Sequence, residues 1–255
     1  MFRVAIPARH ASTRLPGKPL ALLAGRPMIE HVHRLATRSG AQEVVIATDD
    51  ERIHAACVAF GAQVEMTAAT HVSGTDRIAE LAGRRDWAAE SVVVNVQADE
   101  PLLPPGLIDQ VASLLEQDSG AEIATLCAPI ATLGEYLDPN VVKVVMRADG
   151  RALYFSRAPI PWRRDGAPAG LASQQEFHGS WRHVGVYAYR VGALRRLAAS
   201  PPTSLERIER LEQLRALQAG VAIAVAAARE PPGPGVDTAH DLERVDRLMT
   251  LGRRP

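Results

Sequence analysis

The chain has 255 residues, 47% of them hydrophobic and 23% charged, with 29 Lys and Arg set against 29 Asp and Glu. This composition excludes disorder along the whole chain, and the balanced charge lacks the basic excess of a protein that coats nucleic acid. At roughly 150 residues per domain, the length fits one large domain or a main domain with a smaller one. The two cysteines, Cys57 and Cys127, sit among apolar neighbours and read as core filler rather than as a disulfide or metal pair. The apolar run at the N-terminus is too short for a signal peptide, and no stretch approaches the ~20 apolar residues of a membrane span. A cytoplasmic location is expected.

Val4 to Ile6 reads as a buried strand ended by Pro7, followed by a polar loop through Leu20 that carries Arg9, Arg14 and Lys18. Met28, Ile29, Val32, Leu35 and Ala36 recur at helical spacing up to Gly40. Val44 to Thr48 is a second strand, Ile53 to Phe60 a second helix, Val64 to Met66 a third strand and Asp76 to Leu81 a helix. Val92 to Gln97 is the clearest buried strand, and Ile108 to Leu115 the next helix. Strands that are apolar on both faces and alternate with helices predict a parallel sheet covered by helices, joined by right-handed crossovers.

After about residue 130 the pattern changes. Val141 to Met146 and His183 to Arg190 alternate as half-buried antiparallel strands do, and Arg163 to Gln175 reads as a mobile surface loop. Thr203 and Glu206 form a capping box that opens a helix to about Gln218. Val221 to Ala227 is a strand, Pro231 to Gly235 a rigid turn, and Thr238 caps a last amphipathic helix.

Several groups in this pattern carry chemistry. The loop after the first strand brings three cations and a glycine to the carboxyl edge of the sheet, where open α/β folds bind ligands, and so suits a polyphosphate. It is neither a Walker A loop nor G-x-G-x-x-G. Asp99 ends a buried strand at the same edge and suits Mg²⁺, and Asp237 follows another strand and turn; capping or turn roles are the alternatives. Two such aspartates brought together would repel without a cation between them. On a helical wheel Glu212 falls between Leu205 and Ile208, and a carboxylate on an apolar face should meet an Arg, a hydroxyl-rich ligand or a partner helix. His183, Gly185, Tyr187 and Tyr189 share one strand face if the strand is regular. His10, His31, His33 and His54 have no zinc-ligand spacing.

The segments Ile6–Arg9, Leu15–Leu20, Ala47–Asp49, Ser73–Arg77, Asn95–Gln97, Asp99–Pro101, Ala152–Arg157, Arg182–Gly185, Leu211–Arg215 and Val236–Thr238 occur in an order that resembles the 3-deoxy-manno-octulosonate cytidylyltransferases, or CMP-Kdo synthetases, over nearly the whole chain. The resemblance implies a doubly wound, mostly parallel α/β sheet of Rossmann-like nucleotidyltransferase type. It assigns residues 1–130 and 219–255 to a nucleotide-binding core and residues 131–218 to a mixed sugar-binding and dimerisation region. The implied reaction joins CTP to the sugar acid Kdo, releasing pyrophosphate and supplying CMP-Kdo for lipopolysaccharide assembly, in a cytoplasmic homodimer that uses Mg²⁺. By the same likeness Ala8, Arg9, Arg14, Lys18, Ser73 and Arg77 would face the nucleotide, and Asp99 and Asp237 would hold magnesium. Lys18 would join those two aspartates in catalysis. Gln97, Arg157, His183, Tyr187, Glu212 and Gln213 would contact the sugar acid. The pattern is broken at His10, Ala68, Val72 and Ala98, where the family more often has Tyr, Arg, Gln and Gly. An amino-modified Kdo or an acylneuraminate is the alternative substrate, and a non-catalytic nucleotide-binding protein the alternative class.

Overall fold

The computed structural model describes residues 1–11, 15–167 and 169–251. In chain order the elements are β1 (Phe2–Ala8), β2 (Leu22–Leu23), β3 (Arg26–Pro27), α1 (Met28–Ala36), β4 (Glu43–Thr48), α2 (Glu51–Ala59), β5 (Gln63–Met66), α3 (Gly74–Arg84), β6 (Val92–Asn95) and α4 (Pro105–Gln117). There follow β7 (Ile123–Pro129), α5 (Leu133–Leu137), β8 (Lys143–Met146), β9 (Ala152–Ser156), β10 (Trp181–Arg190), α6 (Val191–Ala199), α7 (Ser204–Glu209), α8 (Gln213–Gln218), β11 (Ile223–Ala227) and α9 (Ala239–Leu251).

The main sheet runs β11-β7-β10-β6-β1-β4-β5, with β8 and β9 joined at one end of β10. β1 pairs in parallel with β4 and β6, β4 with β5, and β7 with β11. Along this path β10 alone opposes its neighbours, β6 and β7, and the appended β8 pairs antiparallel with β10 and with β9. The sheet is therefore mostly parallel and doubly wound, as expected. Successive residues of β1 show why: Val4 and Ile6 pack on one face against α1, α2 and α4, while Ala5 packs on the other with Ile78 and Leu81 of α3 and Leu194 of α6. A strand buried on both faces needs cover on both.

Three expectations are corrected. Pro7 does not end the first strand but lies inside β1, opposite Ala47. Pairing with β6 stops at Ala5, so the missing N–H of Pro7 leaves no ladder partner on that side. The segment from His183 is antiparallel, as expected, but more than half-buried: β10 lies in the middle of the sheet, with Val184, Val186, Tyr187, Ala188 and Tyr189 all buried. It comes from within the 131–218 segment, so that segment helps to build the central sheet. The helix from Thr203 does not continue to Gln218. Its capping box is present, but Arg210 adopts the left-handed conformation (φ 52°, ψ 49°) and the chain restarts as α8. The expected surface loop contains a short 3₁₀ turn at Leu171–Ser173 and buries Ala167 and Gln174.

Strands β4 and β5 extend the sheet to one side of β1, and β6 lies on the other. The chain therefore reverses its winding between β1 and β6, and a ligand crevice forms at such a reversal, beyond the carboxyl ends of the strands. Ala8, Gln97 and Asp99 lie there.

Candidate nucleotide and sugar-acid site

Beyond the ends of β1 and β6 lies a cavity of about 330 Å³, lined by Ala8, Arg9, Lys18, His71, Ser73, Arg77, Gln97, Asp99 and Asp237 among others. It shares Gln97, Asp99 and Asp237 with a wider recess bounded by Glu100, Arg157, Gly185, Tyr187 and Arg210. A smaller recess of about 80 Å³, walled by Thr75, Asn95, Gln97, Tyr187, Tyr189, Glu212 and Gln213, shares Gln97 and Tyr187 with the wider one. All the site residues singled out from the sequence line these spaces except His183 and Arg14, and Arg14 lies outside the described residues.

Lys18 is delivered by a sharp turn. Gly17 has φ +69°, and a Cβ there would stand 3.1 Å from the His10 ring, so glycine suits the position on both counts. The Lys18 ammonium donates to Asp99 Oδ2 at 2.6 Å, Asp237 Oδ1 at 3.2 Å and the Val236 carbonyl at 3.1 Å. Two segments far apart in sequence therefore meet on one cation. Their approach is fixed by a hydrogen bond from Val236 N–H to the Asp99 carbonyl at 2.9 Å and by the burial of Val236 with Leu23, Met28 and Val245. The Pro-Gly turn before Asp237 passes so close to Leu102 that a Cβ on Gly233 would lie 2.5 Å from it. Glu100 adds a third carboxyl. Burial, then the charges of Asp99 and Asp237, push its pKa up to about 8. Such crowding of acids is the electrostatic mark of a place that favours positive charge.

In the first cavity, Arg9 is exposed at the end of β1. Arg77 is buried and anchored by Asp49 Oδ2 at 2.7 Å and by the Thr67 hydroxyl. Ser73 caps α3 by accepting from Asp76 N–H at 3.1 Å, and its own hydroxyl donates to Glu212 Oε1 at 3.0 Å. Thr75 donates to Glu212 Oε2 at 2.8 Å, and Arg215 to Oε1 at 2.8 Å. Glu212 thus meets an arginine, as its charge required. The wheel that placed it on an apolar face does not apply, because the helix breaks at Arg210 and Ile208 is 78% exposed. Burial raises the Glu212 carboxyl above its usual value, opposed by these hydrogen bonds.

His183 does not line these three spaces and is half-buried beside them. Its Nε2 is 2.8 Å from Thr125 Oγ1, and its ring contacts Phe155 and Tyr187. Burial pushes its pKa down to about 3. The imidazole is neutral in the native protein and serves to seat Tyr187. Unfolded, it takes up a proton near its ordinary value of 6.5, which the native state refuses until about pH 3. The unfolded state therefore binds more protons in that window, and this residue costs the native state stability as pH falls. Urea-unfolding midpoints are expected to drop less steeply with acidification in His183→Gln than in the parent; equal slopes would refute the neutral ring.

The reading of the sequence missed His71, Thr75, Glu100 and Arg210. His71 lines the first cavity, held by Glu80, which also accepts from Ala68 N–H at 2.9 Å. Glu100 lay in the acidic pair that marked Asp99. Arg210 carried no signal.

A family model described as "Cytidylyltransferase" matches residues 4–223. The 3-deoxy-manno-octulosonate cytidylyltransferase of Thioalkalivibrio sulfidiphilus is 56% identical over 248 residues, covering 97% of this chain and 98% of its own. That of Marinobacter nauticus is 54% identical, covering 98% of each chain. This chain belongs to the 3-deoxy-manno-octulosonate cytidylyltransferase family. A solved structure of CMP:2-keto-3-deoxy-manno-octonic acid synthetase complexed with CTP superposes with a TM-score of 0.88 at 40% identity over 98% of both chains.

The four departures from that family's pattern have these surroundings. His10 packs on Gly17. Ala98 replaces a common glycine, yet it is not among the residues with positive φ, and its methyl group packs against the core. Ala68 keeps its backbone tie to Glu80. Val72 is exposed.

Proposed function

We propose that the chain transfers the cytidylyl group of CTP to Kdo, giving CMP-Kdo and pyrophosphate. The observation that carries this reading is the meeting of Lys18, Asp99 and Asp237 on the wall of one cavity, which shares Gly74 and Gln97 with a second of different chemistry. One is walled by cations and the N-terminus of α3, the other by amide, hydroxyl and carboxylate groups. The first suits a triphosphate, the second a polyhydroxylated acid.

Arg9 and Lys18 face the phosphates, and their charge stabilises the departing pyrophosphate. Ser73 and Arg77 shape the nucleotide side. Gln97, Tyr187, Glu212, Gln213 and Arg157 hold the sugar acid so that its anomeric hydroxyl faces the α-phosphorus; this positioning supplies much of the rate. The bond from that oxygen to phosphorus forms as the bond to the β-phosphate oxygen breaks, and the hydroxyl proton passes to solvent. No side chain becomes a nucleophile.

Asp99 and Asp237 fit a magnesium ion: they are hard oxygen donors, already drawn together around a cation, with Glu100 crowding them. Among the described residues there is no cluster of three or more metal-ligating side chains, but Mg²⁺ commonly takes only one or two carboxylates and completes its shell with water and substrate phosphates. When bound, the ion would neutralise phosphate charge.

We assign the segment 131–218 to the sugar-acid side and to contacts between two copies of the chain. Among the described residues no helix is long and apolar enough to cross a membrane. The expected setting is a cytoplasmic homodimer supplying an activated sugar acid for lipopolysaccharide assembly.

The test is pyrophosphate release from CTP or UTP with Kdo, its amino analogue or N-acetylneuraminate. Release confined to CTP with Kdo is expected. Release only with another sugar acid would overturn the substrate assignment, and silence throughout would overturn the function.

A further inference from the structure

Glu209 belongs to none of the residue sets discussed above, yet it joins two parts of the proposed sugar-acid site. Its Oε1 accepts from the Ser156 hydroxyl at 2.6 Å and, at the limit of 3.5 Å, from the Tyr154 hydroxyl. Its Oε2 accepts from Arg157 N–H at 3.0 Å. The link is reciprocal, because the Arg157 guanidinium returns to the same segment: Nε donates to the Glu209 carbonyl at 2.7 Å, and a terminal nitrogen reaches the Arg210 carbonyl at 3.5 Å. The end of β9 and the end of α7 are thus clamped from both sides.

The clamp sits where the backbone needs support. Arg210, the next residue, holds a left-handed conformation that side chains other than glycine avoid. That kink ends α7 and turns the chain so that Glu212 and Gln213 enter the smaller recess, while Arg157 and Arg210 border the wider one. The far side of Arg157 is fixed as well. Buried Lys143 spends its three N–H donors on the carbonyls of Asp138, Val141 and Arg157, at 2.7 to 2.8 Å. A buried ammonium satisfied only by main-chain carbonyls makes a rigid junction.

We propose that Glu209 is a positioning residue for the sugar-acid half of the site. It locks Arg157 to the α7–α8 kink and so sets the distance between Arg157 on one wall and Glu212 and Gln213 on the other. This rests on the reading of those residues as sugar-acid contacts. The clamp makes no contact with Arg9, Lys18 or Arg77, and its one link towards that side runs through the bond from Ser73 to Glu212, so its loss should fall mainly on the sugar acid.

Glu209→Ala and Glu209→Gln separate the possibilities. Glu209 is partly exposed, and both variants should fold. In Glu209→Ala the KM for Kdo is expected to rise about tenfold with the KM for CTP changed less than about twofold. The glutamine keeps one acceptor and should give a smaller rise. Hydrogen exchange in the ligand-free protein should quicken at residues 210–214 of Glu209→Ala and stay unchanged in α3 and α4. An unchanged KM for Kdo, or equal rises for both substrates, would overturn the positioning role. Failure of the parent chain to use Kdo would instead overturn the substrate reading; in that case unchanged exchange at residues 210–214 would still refute the clamp.

Discussion

Asp99→Ala is expected to lower turnover by about a thousandfold, equivalent to ~4 kcal/mol of transition-state stabilisation. The substitution removes one of two carboxylates drawn to a shared cation and takes from Lys18 its shortest partner, at 2.6 Å. It should not cost stability in the metal-free protein. Asp99 is one of the charges that push Glu100 up to about 8, so its loss relieves repulsion among the acids. A urea midpoint equal to or above that of the parent, with turnover collapsed, is the expected pair of results, as for groups kept for function at the expense of stability. Near-normal turnover in saturating magnesium would exclude the role given to Asp99.

Lys18→Met is expected to show the opposite balance. Lys18 holds together two carboxylates from distant segments, and methionine keeps the length of the side chain without its charge. The metal-free variant should be less stable, because Asp99, Asp237 and Glu100 then face one another with no ammonium between them. Magnesium should raise its melting temperature more than it raises that of the parent, since the ion replaces the missing charge and binds without competition from lysine. Turnover should still fall by about a hundredfold or more through loss of the cation facing the leaving pyrophosphate. Equal magnesium shifts in both proteins, together with retained turnover, would show that Lys18 is only a surface charge.

The strands β1, β4 and β6 and the placement of Lys18, Gln97 and Asp99 at their ends were legible because apolar runs bounded by polar loops announce buried parallel strands. The neighbourhood of Asp237 was legible as a strand, a Pro-Gly turn and a cap: Thr238 and Asp241 exchange hydrogen bonds at the start of α9. Other elements gave no such sign. β7, α5, β9 and α6 were not read; Ile123–Pro129 is an apolar run without alternation, and is set as a strand by β10 and β11 on either side. The break at Arg210 was hidden because an arginine in the left-handed region is held by tertiary contacts and leaves no local signature. His183 read as a polar tip on a half-buried face and is half-buried, but its ring contacts with Phe155 and Tyr187 come from the assembled sheet and left no sign in the sequence. The partners of Glu212 come from Ser73 and Thr75 on α3, a meeting that only the assembled fold creates.

The most direct measurement is ³¹P NMR of the parent chain with CTP, Kdo and Mg²⁺. Attack at the α-phosphorus predicts loss of all three CTP resonances, growth of one phosphodiester signal from CMP-Kdo and equimolar pyrophosphate. Appearance of CDP or inorganic phosphate without the phosphodiester would contradict the account, as would an unchanged spectrum.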